Sequence, residues 1–187
     1  SDTLTRLNYV RITMPIAGFT VSDSISSCPP LQVRFTSQAQ NYTTVKWEFG
    51  DGSSSVLENP EHFYNVPGVY YAKQIIRGPG GCTDTAIQKM VVKGPYGVFT
   101  YAPLVGCKPL TVSMKASSTD KVSFVWDFND GTVMPSKDSN VTHTYTSAGS
   151  FIPKMILIDS TGCRVPITGK DTLKVVGVTA RADMSEY

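Results

Sequence analysis

Apolar and polar residues alternate with a period of two along several short stretches of this chain. Leu31-Gln-Val-Arg-Phe and Val45-Lys-Trp-Glu-Phe each put their apolar side chains on one face and their polar ones on the other. Val69 to Ile76 is another such run, stopped by the turn signal Gly78-Pro-Gly-Gly. Phe124, Trp126 and Phe128 repeat the spacing of Val45, Trp47 and Phe49. No stretch of useful length carries the helical period. The pattern predicts an all-β chain with six or seven short strands in about 80 residues, which is the density of a sandwich.

The chain repeats itself. Cys28-Pro-Pro-Leu-Gln-Val returns as Cys107-Lys-Pro-Leu-Thr-Val, and Trp47-Glu-Phe-Gly-Asp-Gly returns as Trp126-Asp-Phe-Asn-Asp-Gly. His62-Phe-Tyr returns as His143-Thr-Tyr, and Gly81-Cys82 as Gly162-Cys163. Between Gly131 and His143 the second copy is longer by two residues, in a polar segment that suits a loop. Asp84-Thr-Ala and Asp171-Thr-Leu read as openings of the last strand of each copy. Asp2-Thr-Leu with the apolar run after it reads as the same strand of an earlier copy. The predicted organisation is therefore the last strand of a preceding repeat over 1–14, whole domains over 15–94 and 95–177, and the start of a following repeat over 178–187. The joint Val91-Val-Lys-Gly-Pro-Tyr is short, and its proline restricts it.

The residues of the repeat resemble the PKD (polycystic kidney disease) domain family, whose mark is a W-x-F-G-D-G hairpin followed by H-x-Y. The first copy supplies Trp47, Phe49, Asp51, Gly52, His62 and Tyr64. The second supplies Trp126, Phe128, Asp130, Gly131, His143 and Tyr145, with Asn129 where the family usually has Gly. Asn tolerates positive φ, so the turn survives. The resemblance implies two tandem immunoglobulin-like β-sandwiches arranged end to end. The spacing C-x-P-L-x-V … G-C-x-D-T is similar to PKD arrays in large secreted proteins of Bacteroidetes, gliding-motility adhesins among them. Asp-Thr/Ser followed by an apolar residue also resembles an O-glycosylation acceptor of those bacteria, which would make Thr3, Ser24, Thr85 and Thr172 candidates. The competing reading is that Asp-Thr merely starts a strand after a turn.

Four cysteines, Cys28, Cys82, Cys107 and Cys163, form no C-x-x-C pair, so disulfides in an oxidising compartment suit them better than a zinc site. The resemblance implies strand directions that place Cys28 and Cys82 at opposite ends of their domain. On that footing an interdomain Cys28–Cys163 bond is slightly favoured over the intradomain pairs Cys28–Cys82 and Cys107–Cys163. Asn41-Tyr-Thr and Asn140-Val-Thr are N-glycosylation sequons, relevant only in a eukaryotic host.

Charge narrows the function further. The net charge is +2 with scattered Lys and Arg, which gives no basic run for nucleic acid. Apolar stretches are too short for membrane insertion. Both histidines are accounted for by the repeated motif, so no catalytic residue is expected and the chain reads as a non-enzyme. No cofactor is expected. Calcium is the one ion that turn carboxylates would suit, but there is no dense D-x-D-x-D loop. The leading expectation is a stiff, extracellular, cell-surface spacer whose partners are neighbouring repeats. The alternative is a binding module for glycan, matrix fibre or protein, which would show clustered exposed aromatics.

Overall fold

The computed structural model describes residues 13–120 and 122–177. The expected strand over 1–14 and the expected start over 178–187 lie almost wholly outside these residues. The chain divides into two compact units between Lys93 and Gly94. Both are all-β, with no helix among the described residues.

The first unit holds β1 (Phe19–Val21), β2 (Ile25–Ser26), β3 (Leu31–Ser37), β4 (Thr44–Glu48), β5 (Ser54–Ser55), β6 (Glu61–Tyr64), β7 (Gly68–Arg77) and β8 (Thr83–Val92). They form a sheet of order β1-β3-β6 and a second of order β2-β8-β7-β4-β5. Leu31, Val33 and Phe35 of β3 point inward, as their alternation requires, and meet Trp47, Phe49, Tyr64, Ala72, Met90 and Val92. The first strand changes sheets: β1 runs antiparallel to β3, and β2 then lies parallel to β8. Gln74, fully buried on β7, fastens this leading edge. Its Oε1 accepts the Gly18 amide at 3.0 Å and its Nε2 donates to Ser37 Oγ at 2.7 Å. Both ends of the amide are satisfied, as burial demands.

The second unit holds β9 (Gly97–Ala102), β10 (Val105–Cys107), β11 (Leu110–Ser118), β12 (Ser123–Asp127), β13 (Val133–Ser136), β14 (Asn140–Tyr145), β15 (Gly149–Phe151), β16 (Lys154–Ile158), β17 (Arg164–Thr168) and β18 (Leu173–Val176). Its first sheet, β14-β11-β9, matches that of the first unit. Its other face is split into β13-β12-β16-β17 and β10-β18-β15. The break falls at Pro153, which has no N–H to give to a ladder. Opposite it, Gly169 to Thr172 bulges out. The Gly169 amide still reaches the Pro153 carbonyl at 2.8 Å, and the Tyr101 hydroxyl accepts the Asp171 amide at 2.9 Å and donates to the Asp171 carbonyl.

The bulge changes one equivalence read from the sequence. Met90 pairs with Tyr70, and Leu173 pairs with Phe151. Leu173 is therefore the counterpart of Met90, not of Ala86. Asp171-Thr172 belongs to the bulge, whereas Asp84-Thr85 lies inside a continuous strand. A short motif match is overridden here by the ladder register.

Trp47 and Trp126 are both fully buried, but their indole N–H groups differ. Trp47 Nε1 donates to the Leu57 carbonyl at 2.9 Å. Trp126 Nε1 has no partner among the described residues. The difference traces to the segment in which the second copy is longer. There the chain forms the four-residue β13, with Met134 opposite Trp126, where the first unit has only the two-residue β5.

Truncation of either tryptophan to alanine is expected to cost about 3–5 kcal/mol. Trp47→Phe should cost about 1 kcal/mol more than Trp126→Phe, because only the former strips a carbonyl of its donor. Urea unfolding of the four variants checks both points; equal midpoints for the two phenylalanine variants would contradict the second.

Candidate functional site

The repeated W-x-F-x-D-G hairpin is where each unit concentrates its polar chemistry. After Trp47 turns inward on β4 the chain must reverse, and Gly50 and Gly52 take φ of 86° and 94° to do so. Gly50 has a second constraint: a Cβ there would lie 2.8 Å from the Tyr71 nitrogen and 2.9 Å from its carbonyl oxygen, both backbone. In the second unit Asn129 stands at the corresponding place with φ of 60°, where the facing strand is broken at Pro153. Amide-to-carbonyl bonds of 3.1 Å, Phe49 to Ser53 and Phe128 to Thr132, close the two turns.

The turn carboxylates point in two directions. Asp51 Oδ1 accepts the Ser53 amide at 3.0 Å and the Ser53 hydroxyl at 2.5 Å, and its Oδ2 lies 2.7 Å from His62 Nε2. Asp130 Oδ1 accepts the Thr132 amide at 2.9 Å, and its Oδ2 lies 2.7 Å from His143 Nε2. His62 stands on β6 and Asp51 follows β4, so each pair crosses from one sheet to the other. The His62 ring stacks on Phe49 with centroids 4.1 Å apart and meets the edge of Tyr64 at 4.7 Å. The His143 ring repeats this with Phe128 at 3.8 Å and Tyr145 at 4.7 Å. The hydroxyls of Tyr64 and Tyr145 donate across the same gap to the carbonyls of Phe49 and Phe128, at 2.9 and 3.0 Å. Burial pushes both tyrosine hydroxyls far up from their ordinary range.

Ser53, His62 and Asp51 meet in the first unit, a combination that sequence spacing did not single out. Their geometry is not that of a proton relay. Ser53 Oγ, 3.4 Å from His62 Nε2, faces the same ring nitrogen that bonds Asp51, and its proton goes to the carboxylate. A relay needs the acid and the nucleophile on different ring nitrogens. Among the described residues no group of three or more His, Cys, Asp or Glu side chains is placed to hold a metal ion.

The cysteines fall into two states. Cys28 and Cys163 are each disulfide-bonded, while Cys82 and Cys107 are exposed free thiols. Cys28 follows β2, whose Ser26 carbonyl accepts the Lys93 amide at 2.8 Å, so it stands beside the C-terminal end of β8. Cys82 sits in the turn that opens β8. Ten strand residues separate the two ends, about 30 Å at the usual rise. Cys107 likewise pairs with Val176 at the C-terminal end of β18. Cys163 lies in the turn before β17, its amide bonded to Asp159 Oδ1 at 3.0 Å. Of the Asp-Thr/Ser candidates, Thr85 and Thr172 are exposed, Ser24 is half-buried, and Thr3 lies outside the described residues.

Burial raises the Asp51 carboxyl, but the hydrogen bonds from Ser53 and His62 outweigh it and hold the group below its ordinary value; His143 and Thr132 do the same for Asp130. A depressed folded pKa contributes stability that is present above the unfolded carboxylate value, about 3.9, and is lost as pH falls through the folded one. Asp51→Asn is expected to lower stability by about 1 kcal/mol at neutral pH, because water screens the partly exposed pair, and to flatten the acid limb below about pH 4. Denaturant midpoints measured from pH 7 down to pH 2 check this; a variant whose acid limb matches the parent would contradict it.

The model of the PKD domain matches residues 13–92 and 104–175. Among solved structures, the PKD1 domain of Vibrio anguillarum Epp is similar at 22% identity, over 44% of this chain and 98% of that one, with a TM-score of 0.39. The PKD1 domain from the Vibrio cholerae metalloprotease PrtV is similar at 23% identity, over 44% and 100%, also with a TM-score of 0.39. SGBP-B of the Bacteroides ovatus mixed-linkage glucan utilization locus, in complex with a heptasaccharide, is similar at 18% identity, over 88% and 48%, with a TM-score of 0.36. With the family's model covering most of the chain in two tandem segments, and its hairpin present in both, the chain belongs to the PKD domain family.

Proposed function

We propose that this chain is a non-catalytic stalk segment of a large secreted or cell-surface protein, an adhesin of the gliding-motility kind, in which successive PKD units are stapled end to end. The observation that carries the reading is the placement and state of the cysteines. Cys28 stands at the end where the chain leaves the first unit, and Cys163 at the end where the chain enters the second. Both are oxidised; Cys28 is the length of β8 from Cys82, and Cys163 the length of β17 and β18 from Cys107. A bond between Cys28 and Cys163 joins the two ends nearest the short Gly94-Pro95 joint. Such a bond closes a long loop and makes the joint stiff.

Two further features support a spacer over a ligand platform. The motif that looks like chemistry is spent on holding sheets together. Of the exposed rings, Phe63 and Tyr71 stand on β6 and β7, which belong to different sheets, and Tyr96 stands in the joint before β9, so no single strand face gathers them. No helix of the described residues is long and apolar enough to cross a membrane.

Non-reducing peptide mapping is expected to return a peptide linking Cys28 to Cys163. Reduction should then speed proteolytic nicking at the 93–96 joint severalfold while leaving both cores protected. A Cys28–Cys82 peptide, or equal nicking before and after reduction, would refute the staple.

A further inference from the structure

We infer that Cys82 and Cys107 are complementary connector thiols, the thiol at the exit end of one copy of this chain bonding with the thiol at the entry end of another. The inference rests on the staple reading above and extends it outward. Cys107 is the counterpart of Cys28: each stands at or just past the end of a short strand that lies parallel to the last strand of its unit, Val105–Cys107 on β18 and Ile25–Ser26 on β8. Cys82 is the counterpart of Cys163: each precedes a strand in a turn whose glycine has positive φ, Gly81 at 85° and Gly162 at 84°. One member of each equivalent pair is disulfide-bonded, and the other member is an exposed thiol. An exit-end cysteine and an entry-end cysteine are thus what a bond joins, and the molecule presents one of each unspent. A head-to-tail contact that uses two different ends leaves one end of each kind free, so further copies can add to it.

The chemistry is ordinary thiol–disulfide exchange. The thiolate of Cys107 attacks a small disulfide oxidant such as oxidised glutathione, forming a mixed disulfide and releasing one glutathione thiolate. The thiolate of Cys82 from the second copy then attacks the Cys107 sulfur of that mixed disulfide and releases the other. Two protein thiols are oxidised, one disulfide is reduced to two thiols, and the two protons given up by the protein thiols end on the two glutathione sulfurs. The same end-to-end complementarity predicts that like ends, Cys82 with Cys82 or Cys107 with Cys107, do not match.

The test uses two single variants of the full chain, C82S and a size-tagged C107S, each retaining one connector. Both altered positions are exposed, and matching denaturant midpoints with the parent confirm intact folds. Equilibrated together in a glutathione redox buffer, the pair should give the mixed tagged–untagged dimer in roughly tenfold excess over the two homodimers combined, the ratio that about 1.4 kcal/mol of favourable end-to-end contact produces. Peptide mapping of that dimer should show Cys82 joined to Cys107. A statistical mixture of the three dimers, a predominance of homodimers, or glutathione adducts alone would overturn the proposal. Mapping Cys28 and Cys163 in the same digest separates the two claims. If they remain joined while the dimers are statistical, the connectors fail and the staple stands. If they are not joined to each other, the staple itself fails.

Discussion

A single carboxylate in a tight turn is the constraint on which each unit depends. A β-sandwich holds its two sheets together mainly by apolar burial, which is strong but non-directional. Directional ties between sheets are few, and the set that both units share gathers at one place. Asp51 fixes the turn with one oxygen and His62 of the opposite sheet with the other. The stacked Phe49 ring and the Tyr64 hydroxyl complete the crossing. The second unit repeats every one of these contacts with Asp130, His143, Phe128 and Tyr145. The pair is only partly shielded from water, so its worth lies less in Coulomb attraction than in specifying one alignment of the two sheets.

What the two units do not share shows how much the fold tolerates around that clamp. Gln74, buried with both amide ends bonded on β7 of the first unit, gives way to Met155 in the same relation to the tryptophan strand: Trp47 pairs with Gln74, and Trp126 with Met155. The polar version fastens the leading edge at Gly18, while the apolar version fills the space with no partner to satisfy. The Trp47 indole has its acceptor, and the Trp126 indole does without. A continuous ten-residue strand in the first unit becomes two shorter ones in the second, split by Pro153 and held across the gap by Tyr101. Each change sits outside the clamp.

Much of this was legible in the chain. The alternation over Leu31–Phe35 and around Trp47 named the inward faces, because a half-buried strand leaves no other place for its apolar residues. The hairpin was legible because Asp-Gly at a turn has few physical alternatives. The bulge at Gly169–Thr172 was not: it depends on where Pro153 stands across the ladder, a relation between residues distant in sequence. For the same reason the look-alike Asp-Thr tripeptides at Asp84 and Asp171 hid unequal surroundings. Gln74 gave no signal either. It sits in the Ala72-Lys-Gln-Ile-Ile run, and only the fold shows that Gly18 and Ser37 wait for it. Nor did spacing indicate that Ser53 would join Asp51 and His62, since a turn hydroxyl is common and its rotamer is set by the carboxylate beside it.

The strand that changes sheets has the largest consequence for the molecule's exterior. If β1 simply continued along its first sheet, the turn into β3 would carry Cys28 with that sheet. Because the chain crosses instead and runs parallel to β8 as β2, it arrives beside the final residues of its own unit, with Ser26 opposite Val92. A parallel neighbour of the last strand must end where that strand ends. A cysteine placed just after it is therefore carried to the exit, however early it comes in the sequence. A cysteine in the turn before the last strand is held at the entrance by the same logic. The two positions in one unit are a full strand apart. That a cysteine stands at each end of a repeat thus depends on a single parallel pairing, of two residues in the first unit and three in the second.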